Sequence, residues 1–170
     1  MFSGGQRQRI AIARALALDP KIIIADEAVS ALDVSIQSQI LNLINELRSS
    51  LQLSIIFISH DLSVINYISD TVAVMYSGKI IEIGPTNDIM NKPKHPYSQL
   101  LLASVPTISF SKKTKDVKIE GEPPDPSIQT IGCAFYSRCH KKSEKCQNEI
   151  PKLQAQNNNA EHKIACHHLS

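Results

Sequence analysis

No long apolar run, no excess of one charge and no cysteine before position 133 occurs in this 170-residue sequence. Because a helix needs roughly 18 consecutive apolar residues to span a bilayer, we expect no transmembrane segment. The opening Met-Phe-Ser-Gly-Gly lacks the features of a secretory signal peptide, which predicts a cytosolic chain. The 18 basic and 16 acidic residues leave a net charge of +2, which argues against nucleic acid or an anionic membrane surface as a partner. Contact with a membrane is therefore expected to come through other proteins.

Helical and strand patterns alternate over residues 1–104, as in proteins with a parallel α/β sheet. Two of the predicted strands, 21–25 and 54–58, are short apolar runs and are expected to be buried. Thr86 is predicted to cap a short helix. The predicted helices are 6–18, 35–48, 61–68, 86–90 and 96–104, and the predicted strands are 21–25, 54–58, 71–75 and 79–83, the last two forming a hairpin.

The composition of the chain changes after residue 104. Residues 105–126 predict a linker, because the run Gly121-Glu122-Pro123-Pro124-Asp125-Pro126 cannot form regular structure. Residues 127–170 follow as a small predicted module that carries all four cysteines. A segment with so few apolar residues cannot build a strong core, so a bound metal is expected to stabilise it.

Two glycines precede the first predicted helix, in the run Ser3-Gly4-Gly5-Gln6. Glycine allows the backbone to approach an anion closely, and the free N–H groups at a helix start point toward it. These residues therefore predict a phosphate-binding turn. The alternative is a simple serine N-cap with a glycine turn.

Acidic residues and a histidine follow the first two predicted strands. Asp26 and Glu27 come at the end of the first strand, and His60 comes just after the second. Ligands of open α/β sheets bind at the carboxyl ends of the strands, so these side chains are candidates for chemistry. The alternatives are an acidic turn for the pair and an ordinary surface position for His60. Asp33 has the position of an N-cap for the next helix.

These features together resemble four motifs of the ABC-transporter ATPases. The run Ser3-Gly4-Gly5-Gln6-Arg7-Gln8-Arg9 resembles the signature motif, and Ile22-Ile23-Ile24-Ala25-Asp26-Glu27 resembles Walker B. Ser30-Ala31-Leu32-Asp33 is similar to the D-loop, and His60 has the place of the switch histidine. The resemblance implies an incomplete P-loop NTPase (ABC ATPase) parallel sheet with flanking helices in residues 1–104, plus a small Cys-rich C-terminal module.

The same resemblance implies a role for each site residue in a nucleotide-sandwich dimer that binds ATP and Mg²⁺. Ser3-Gly4-Gly5-Gln6 contact the γ-phosphate of ATP held by the other subunit, and Asp33 lies in a loop between subunits. Asp26 holds Mg²⁺ through water. Glu27 polarises the attacking water, and His60 reaches the γ-phosphate.

No G-x-x-x-x-G-K-[ST] loop occurs anywhere in the sequence. The chain therefore resembles an ABC ATPase from the signature motif onward, and by itself it is expected to have no ATPase activity. In the family the P-loop strand lies between the strands that match 54–58 and 71–75. Without it, these two strands are expected either to stay apart or to close up in a different register.

The tail is similar to one branch of this family, the oligopeptide/dipeptide importers. The resemblance rests on His95-Pro96-Tyr97, on Gly121-Glu122-Pro123-Pro124 and on the cysteines after them. It implies an ATP-binding subunit of a peptide importer at the cytoplasmic face of the plasma (inner) membrane, attached peripherally. The implied partners are a second ATP-binding subunit, in a homo- or heterodimer, and transmembrane permease subunits.

Four cysteines form the pattern Cys133-x5-Cys139-x6-Cys146-x19-Cys166. Soft thiolates suit an iron–sulfur cluster or zinc, and the absence of a C-x-x-C knuckle argues against a structural zinc site of the usual kind. The resemblance to the peptide-importer branch favours a [4Fe–4S] cluster. Zinc remains an alternative, as do four unliganded thiols. The histidines that could serve zinc are His140, His162, His167 and His168.

Two other functions are compatible with part of the sequence. A catalytically inactive, truncated remnant of a transporter subunit would explain the missing P-loop. A soluble ABC ATPase of DNA repair, some of which carry metal-binding cysteines, is disfavoured by the His-Pro-Tyr tail and the near-neutral charge.

Overall fold

The computed structural model describes residues 2–104, 131–156 and 159–168. The chain divides into two compact units, Met1–Ser69 and Asp70–Ser170. The predicted linker 105–126 lies outside the described residues, so the domain boundaries inferred from the sequence stay a prediction. No helix in the described ranges is long and apolar enough to cross a membrane.

The first unit consists of three helices and two strands. The strands β1 and β2 pair in parallel, with Ala25 opposite Phe57. Residues from α2, α3 and the turn after β1 form its core, and Ile55 and Phe57 of β2 pack against that core. The elements are α1 (Gly4–Leu16), β1 (Ile22–Asp26), α2 (Val34–Ser50), β2 (Ser54–Ile58) and α3 (Leu62–Ile68).

The prediction that β1 and β2 are buried was wrong, because one face of this sheet is exposed and the other is only half-buried. Ile24 of β1 is 66% exposed and Ile56, its partner in β2, is 54% exposed. Ile22 and Ile58 lie on the same face and are also exposed. Parallel strands with apolar residues on both faces are typical of sheets covered on both sides. Nothing in the described part of the chain covers this isoleucine face.

The second unit contains a four-stranded antiparallel sheet in the order β3-β4-β6-β5. The predicted hairpin of β3 and β4 is present, and its turn residues Ser77 and Gly78 both have positive φ, as the tight hairpin turns require. The elements are β3 (Thr71–Tyr76), β4 (Lys79–Pro85), α4 (Thr86–Asn91), α5 (Pro96–Ala103), α6 (Glu144–Asn148), β5 (Gln154–Gln156) and β6 (Asn159–Ile164).

The strands that would flank a P-loop strand stay apart, which is the first of the two alternatives expected from the sequence. β2 and β3 belong to different sheets, and of the described strands only β1 and β2 are parallel. Two other sequence-based expectations fail in the second unit. No strand was predicted for residues 154–156 or 159–164, yet they form β5 and β6, and β6 pairs with both β5 and β4. Thr86 begins α4 instead of capping it, because Pro85 occupies the cap position with no side-chain hydrogen bond.

Candidate functional site

Glu27 and His60 meet at the carboxyl ends of the two parallel strands. The Glu27 N–H donates to the carbonyl oxygen of Ile58, at 3.0 Å, so the residue after β1 is held beside the end of β2. Glu27 has a φ of 48°, a left-handed conformation that non-glycine residues adopt rarely and that occurs often at functional sites. His60 Nδ1–H donates to Glu27 Oε1 at 2.9 Å. The structure thus brings together the two residues predicted to be catalytic.

The contact between Glu27 and His60 shifts both groups toward their charged forms. The hydrogen bond from His60 lowers the pKa of the Glu27 carboxyl below its usual value. The same hydrogen bond, together with the charge of Glu27, raises the pKa of His60. Both side chains are open to solvent, with 40% of Glu27 and 79% of His60 exposed, so water screens the interaction. At neutral pH Glu27 is therefore a carboxylate that can accept a hydrogen bond from water.

Asp26 lies beside this pair as the last residue of β1, opposite Ile58 in the strand register. Its side chain is exposed on the same edge of the sheet. Asp26, Glu27 and His60 therefore lie at one edge of the sheet, the edge at which ligands of open α/β sheets bind.

The run Ser3-Gly4-Gly5-Gln6 begins α1 and forms a capping box. Ser3 Oγ accepts from the Gln6 N–H at 3.2 Å, and Gln6 Oε1 accepts from the Ser3 N–H at 2.9 Å. The serine N-cap is therefore present, but Gly4 and Gly5 belong to the first turn of α1 and do not form a turn before the helix. A capping role does not exclude phosphate binding, because further N–H groups of the first helical turn lack helical partners.

Both glycines lie against the segment that contains Asp33. A Cβ atom at Gly5 would lie 2.8 Å from Ile36 Cγ2, and one at Gly4 would lie 3.1 Å from Leu32 Cδ2. Gly5 therefore has a packing reason to lack a side chain. Asp33 Oδ1 accepts from the Ile36 N–H at 3.0 Å and caps α2, which holds the pKa of its carboxyl low. The structure brings the predicted signature and D-loop residues together.

A cavity of about 430 Å³ lies between α1, β1 and α2 in the first unit. Most of its wall is apolar, with Ile12, Ile23 and Leu47 among the lining residues. Asp26 and Glu27 also line it. The cavity and the exposed isoleucine face both border β1.

The four cysteines of the second unit are free thiols that influence one another electrostatically. Burial raises the pKa of Cys133, Cys139 and Cys166, and the nearby charge of Cys146 raises each of them further. The Cys133 N–H donates to the Cys146 carbonyl oxygen at 2.8 Å. A Cβ at Gly132 would lie 2.4 Å from that same oxygen, so glycine permits the close approach.

Backbone N–H groups point at three of the four sulfurs. In each case the donor lies two residues after the cysteine: Phe135 for Cys133, Lys141 for Cys139 and His168 for Cys166. Cys146 Sγ lies 3.4 Å from Ser143 Oγ. Such hydrogen bonds stabilise thiolates at metal sites. The described residues nevertheless contain no group of three or more Cys, His, Asp or Glu side chains placed to hold a metal ion. The predicted metal site is thus not confirmed, although the chemistry of its donors fits a metal–thiolate group.

Sequence reasoning missed a buried carboxyl group in the second unit. Glu82 of β4 is fully buried and accepts hydrogen bonds from the N–H groups of Lys94 and His95 and from His162 Nε2. The signal in the sequence was a single acidic residue inside the apolar run Ile80-Ile81-Glu82-Ile83. A buried acid in a strand must find hydrogen-bond donors, so its presence predicts a polar cluster.

The buried ring of His95 predicts a loss of stability in mild acid. Burial lowers the pKa of His95 from 6.5 to about 4, and its neutral Nδ1 accepts from the Tyr97 N–H. Because the unfolded chain binds the proton more tightly, stability is retained above pH 6.5 and falls as the pH drops toward 4. Between pH 7 and pH 5 the loss attributable to His95 is about 2 kcal/mol.

Urea unfolding at the two pH values checks this expectation. The His95→Gln variant retains an acceptor for the Tyr97 N–H but cannot titrate, so its stability is expected to fall less between pH 7 and pH 5 than that of the wild type. An equal fall in both proteins would contradict the assignment.

Comparison with known proteins places these features in a family. A family model for ABC transporters matches residues 1–30, and a model described as the oligopeptide/dipeptide transporter C-terminal region matches residues 81–146. The chain is 50% identical over 169 residues to the dipeptide transport ATP-binding protein DppF of Haemophilus influenzae. It is 49% identical over 168 residues to the oligopeptide transport ATP-binding protein AppF of Bacillus subtilis (strain 168).

These alignments cover nearly all of this chain but only part of each relative. They cover 99% and 98% of this chain and 51% and 50% of the relatives, so the chain spans about half the length of the curated relatives it matches. A solved structure described as an inward-facing conformation of a metal-chelate type ABC transporter is 32% identical, with a TM-score of 0.52. That match covers 59% of this chain and 38% of the other, and it supports an ABC NTPase fold. Over nearly its whole length the chain is thus similar to the ATP-binding proteins of oligopeptide/dipeptide ABC transporters, and it corresponds to the C-terminal part of such a protein.

Proposed function

We propose that this chain supplies the signature, Walker B, D-loop and switch-histidine part of the ATP site in a peptide-importing ABC transporter. When a P-loop half completes the site, ATP hydrolysis is coupled to the uptake of oligopeptides or dipeptides. The observation that carries the proposal is the hydrogen bond of 2.9 Å between His60 and Glu27 at the ends of two paired parallel strands.

The geometry supports a separate chemical role for each of three side chains. The Glu27 carboxylate can accept a hydrogen bond from the attacking water and orient it. His60 holds Glu27 in place through Nδ1, and its other ring nitrogen can donate to the γ-phosphate. Asp26 would hold Mg²⁺ through water, and the ion, when bound, neutralises charge on the phosphates. Hydrolysis of this kind depends mainly on positioning and electrostatics.

The signature residues act on a nucleotide held by another subunit in this proposal. Ser3-Gly4-Gly5-Gln6 present the start of α1, and the glycines keep that start packed against residues 32–36. Asp33, next to this contact, lies in the loop that passes between subunits. A second ATP-binding subunit, identical or different, is therefore a proposed partner. Permease subunits are the other proposed partners, and they attach the protein peripherally to the cytoplasmic face of the plasma membrane.

The exposed isoleucine face gives the missing P-loop half a place to pack. Ile24 and Ile56 are more than half exposed, and the sequence contains no P-loop. The curated relatives have about twice the length of this chain. We infer that the P-loop half covers this face and completes the sheet.

Reconstitution of ATP hydrolysis tests the proposed function. The purified 170-residue chain is expected to show no ATP turnover, because nothing in it cradles the β- and γ-phosphates. Joining it to the P-loop half of a relative is expected to produce turnover. Phosphate release is the measurement, and the same joined protein carrying Glu27→Gln is the control.

Two outcomes of this experiment decide between the candidate functions. Micromolar ATP binding by the chain alone, seen by calorimetry, would overturn the assignment of the phosphate cradle to another segment. A soluble, completed protein without turnover would favour the inactive remnant.

The four cysteines are proposed to bind a [4Fe–4S] cluster, with zinc as the alternative. Three sulfurs accept backbone N–H groups, and Cys146 lies close enough to raise the pKa of the other three thiols. Cys133, Cys139, Cys146 and Cys166 are the proposed ligands. The cluster, when bound, would supply a rigid cross-link to a segment with a small core.

A further inference from the structure

Glu82 connects two separate parts of the second unit. Its side chain is fully buried, and it accepts from His162 Nε2 at 2.7 Å and from the N–H groups of Lys94 and His95 at 2.8 and 3.0 Å. One connection leads to β6 and the other to the segment before α5. A buried acceptor that satisfies three donors is costly to remove, because the donors are left without partners.

The first connection leads to Cys166. His162 is nearly fully buried on β6, and Cys166 follows the end of that strand by two residues. The backbone ladder between β6 and β4 is short, with Glu82 opposite Ile164 and Ile83 opposite Lys163. A further bond joins the Ala165 N–H to the Ile81 carbonyl oxygen at 2.8 Å. The side-chain bond to His162 therefore adds substantially to what holds this strand end.

The second connection leads to Cys133. The backbone of His95 donates to Glu82, and the His95 ring lies 5.8 Å from the ring of Phe135. Phe135 is 1% exposed, and its own N–H donates to the Cys133 sulfur. The rings of Tyr76 and Tyr97 pack on Phe135 at 5.2 and 5.5 Å. Glu82 thus reaches the cysteine-bearing segment through His95 and Phe135.

The cysteines come from two stretches of chain that need a common anchor. Cys133, Cys139 and Cys146 lie within fourteen consecutive residues, whereas Cys166 arrives from β6. We propose that Glu82 is a positioning residue of the four-thiol group, and that it places Cys166 opposite the segment of Cys133 by anchoring His162 and His95 at once. This inference rests on the proposed thiolate site, but it concerns the arrangement of the thiols and not the identity of the metal.

Alkylation of individual cysteines in the reduced, metal-free 170-residue chain tests the role of Glu82. Glu82→Met preserves volume but removes every acceptor, and an unsatisfied buried donor costs roughly 1–3 kcal/mol. The iodoacetamide rates at Cys133 and Cys166, resolved by peptide mapping, are expected to rise at least about tenfold. Glu82→Gln retains part of the acceptor set and is expected to give smaller increases. Glu161→Met, at an exposed position of β6, is the matched control and is expected to change neither rate.

His162→Gln separates the two connections. It disturbs only the bond to β6, so the rate at Cys166 is expected to rise while the rate at Cys133 stays at its wild-type value. The rate at Cys133 in Glu82→Met is decisive. The charge of Glu82 raises the pKa of Cys166, so removing that charge could speed alkylation of Cys166 without moving it. The pKa of Cys133 is raised by burial and by neighbouring cysteines, so its rate does not have this second explanation. Hydrogen exchange of the β3 amides shows whether the rest of the unit stays folded.

The outcomes distinguish this inference from the metal proposal. An unchanged rate at Cys133 in a folded Glu82→Met chain would overturn the positioning role, whatever happens at Cys166 and whatever metal the wild type binds. If the Glu82→Met chain unfolds, the Cys166 rate in His162→Gln decides alone. A wild-type chain that binds no metal but shows the expected alkylation pattern would refute the thiolate site and leave the role of Glu82 supported.

Discussion

Replacing Glu27 with Gln in the chain completed by a P-loop half is expected to lower ATP turnover by about 100-fold or more. The amide has nearly the shape of the carboxylate but carries no charge and is not a base, so the attacking water loses a charged acceptor that can polarise it. ATP binding is expected to persist, because the P-loop half and the signature residues hold the phosphates. The variant is therefore expected to accumulate as an ATP-bound dimer.

Steady-state phosphate release and size-exclusion chromatography with ATP measure the two effects. Glu46→Gln makes the same chemical change at an exposed position of α2 and serves as the control. Turnover near the wild-type rate in Glu27→Gln would show that this carboxylate does not position water.

His60→Ala is expected to reduce turnover as well, since His60 Nδ1 lies 2.9 Å from Glu27 Oε1. Residues that act as one unit give effects that do not add, so the double variant should be little slower than the slower single variant. An additive loss would mean that the two side chains act independently.

The other large effect is expected on the metal content of the protein when one of the four thiols is removed. Wild-type protein prepared without oxygen is expected to be brown and to contain about four Fe per chain. Cys146→Ser should lose this metal, because Cys146 is the most buried of the four thiols and lies near the other three. Iron analysis and the visible absorption spectrum are the measurements, and limited proteolysis of residues 131–168 should become faster.

The choice between iron and zinc follows from the same preparation. His140→Ala is the companion variant, since His140 is one of the histidines that could serve zinc, and an iron–sulfur site should not need it. Stoichiometric zinc without iron would move the assignment to a zinc module. Metal retained by Cys146→Ser would show that another side chain replaces Cys146 or that it is not a ligand.

Local patterns were enough to predict the elements of the first unit. The apolar spacing in α2 and the β-branched runs of β1 and β2 specify these elements almost without reference to the rest of the chain. The meeting of Glu27 with His60 was also predictable, because parallel neighbouring strands bring their carboxyl ends to one edge.

The same local patterns could not predict contacts between segments distant in sequence. The sequence of β6 has no strong strand pattern. The strand forms because its backbone pairs with β4 and because His162 hydrogen-bonds to Glu82. Tertiary contacts of this kind routinely override weak local preferences. The sequence signals Glu82 only as a single acid inside an apolar strand, and it does not show which distant residues supply its donors.

The motif order, the candidate site residues and most element boundaries in residues 2–104 therefore come from local sequence, where spacing and capping chemistry act over a few residues. The burial of a surface is not determined by local sequence. The same isoleucine pattern predicts a covered strand from the sequence, yet Ile24 and Ile56 are exposed, because burial depends on what packs against a face and not on the face alone. The buried Glu82 likewise depends on tertiary structure, because the donors that satisfy it, Lys94, His95 and His162, lie far from it in the sequence.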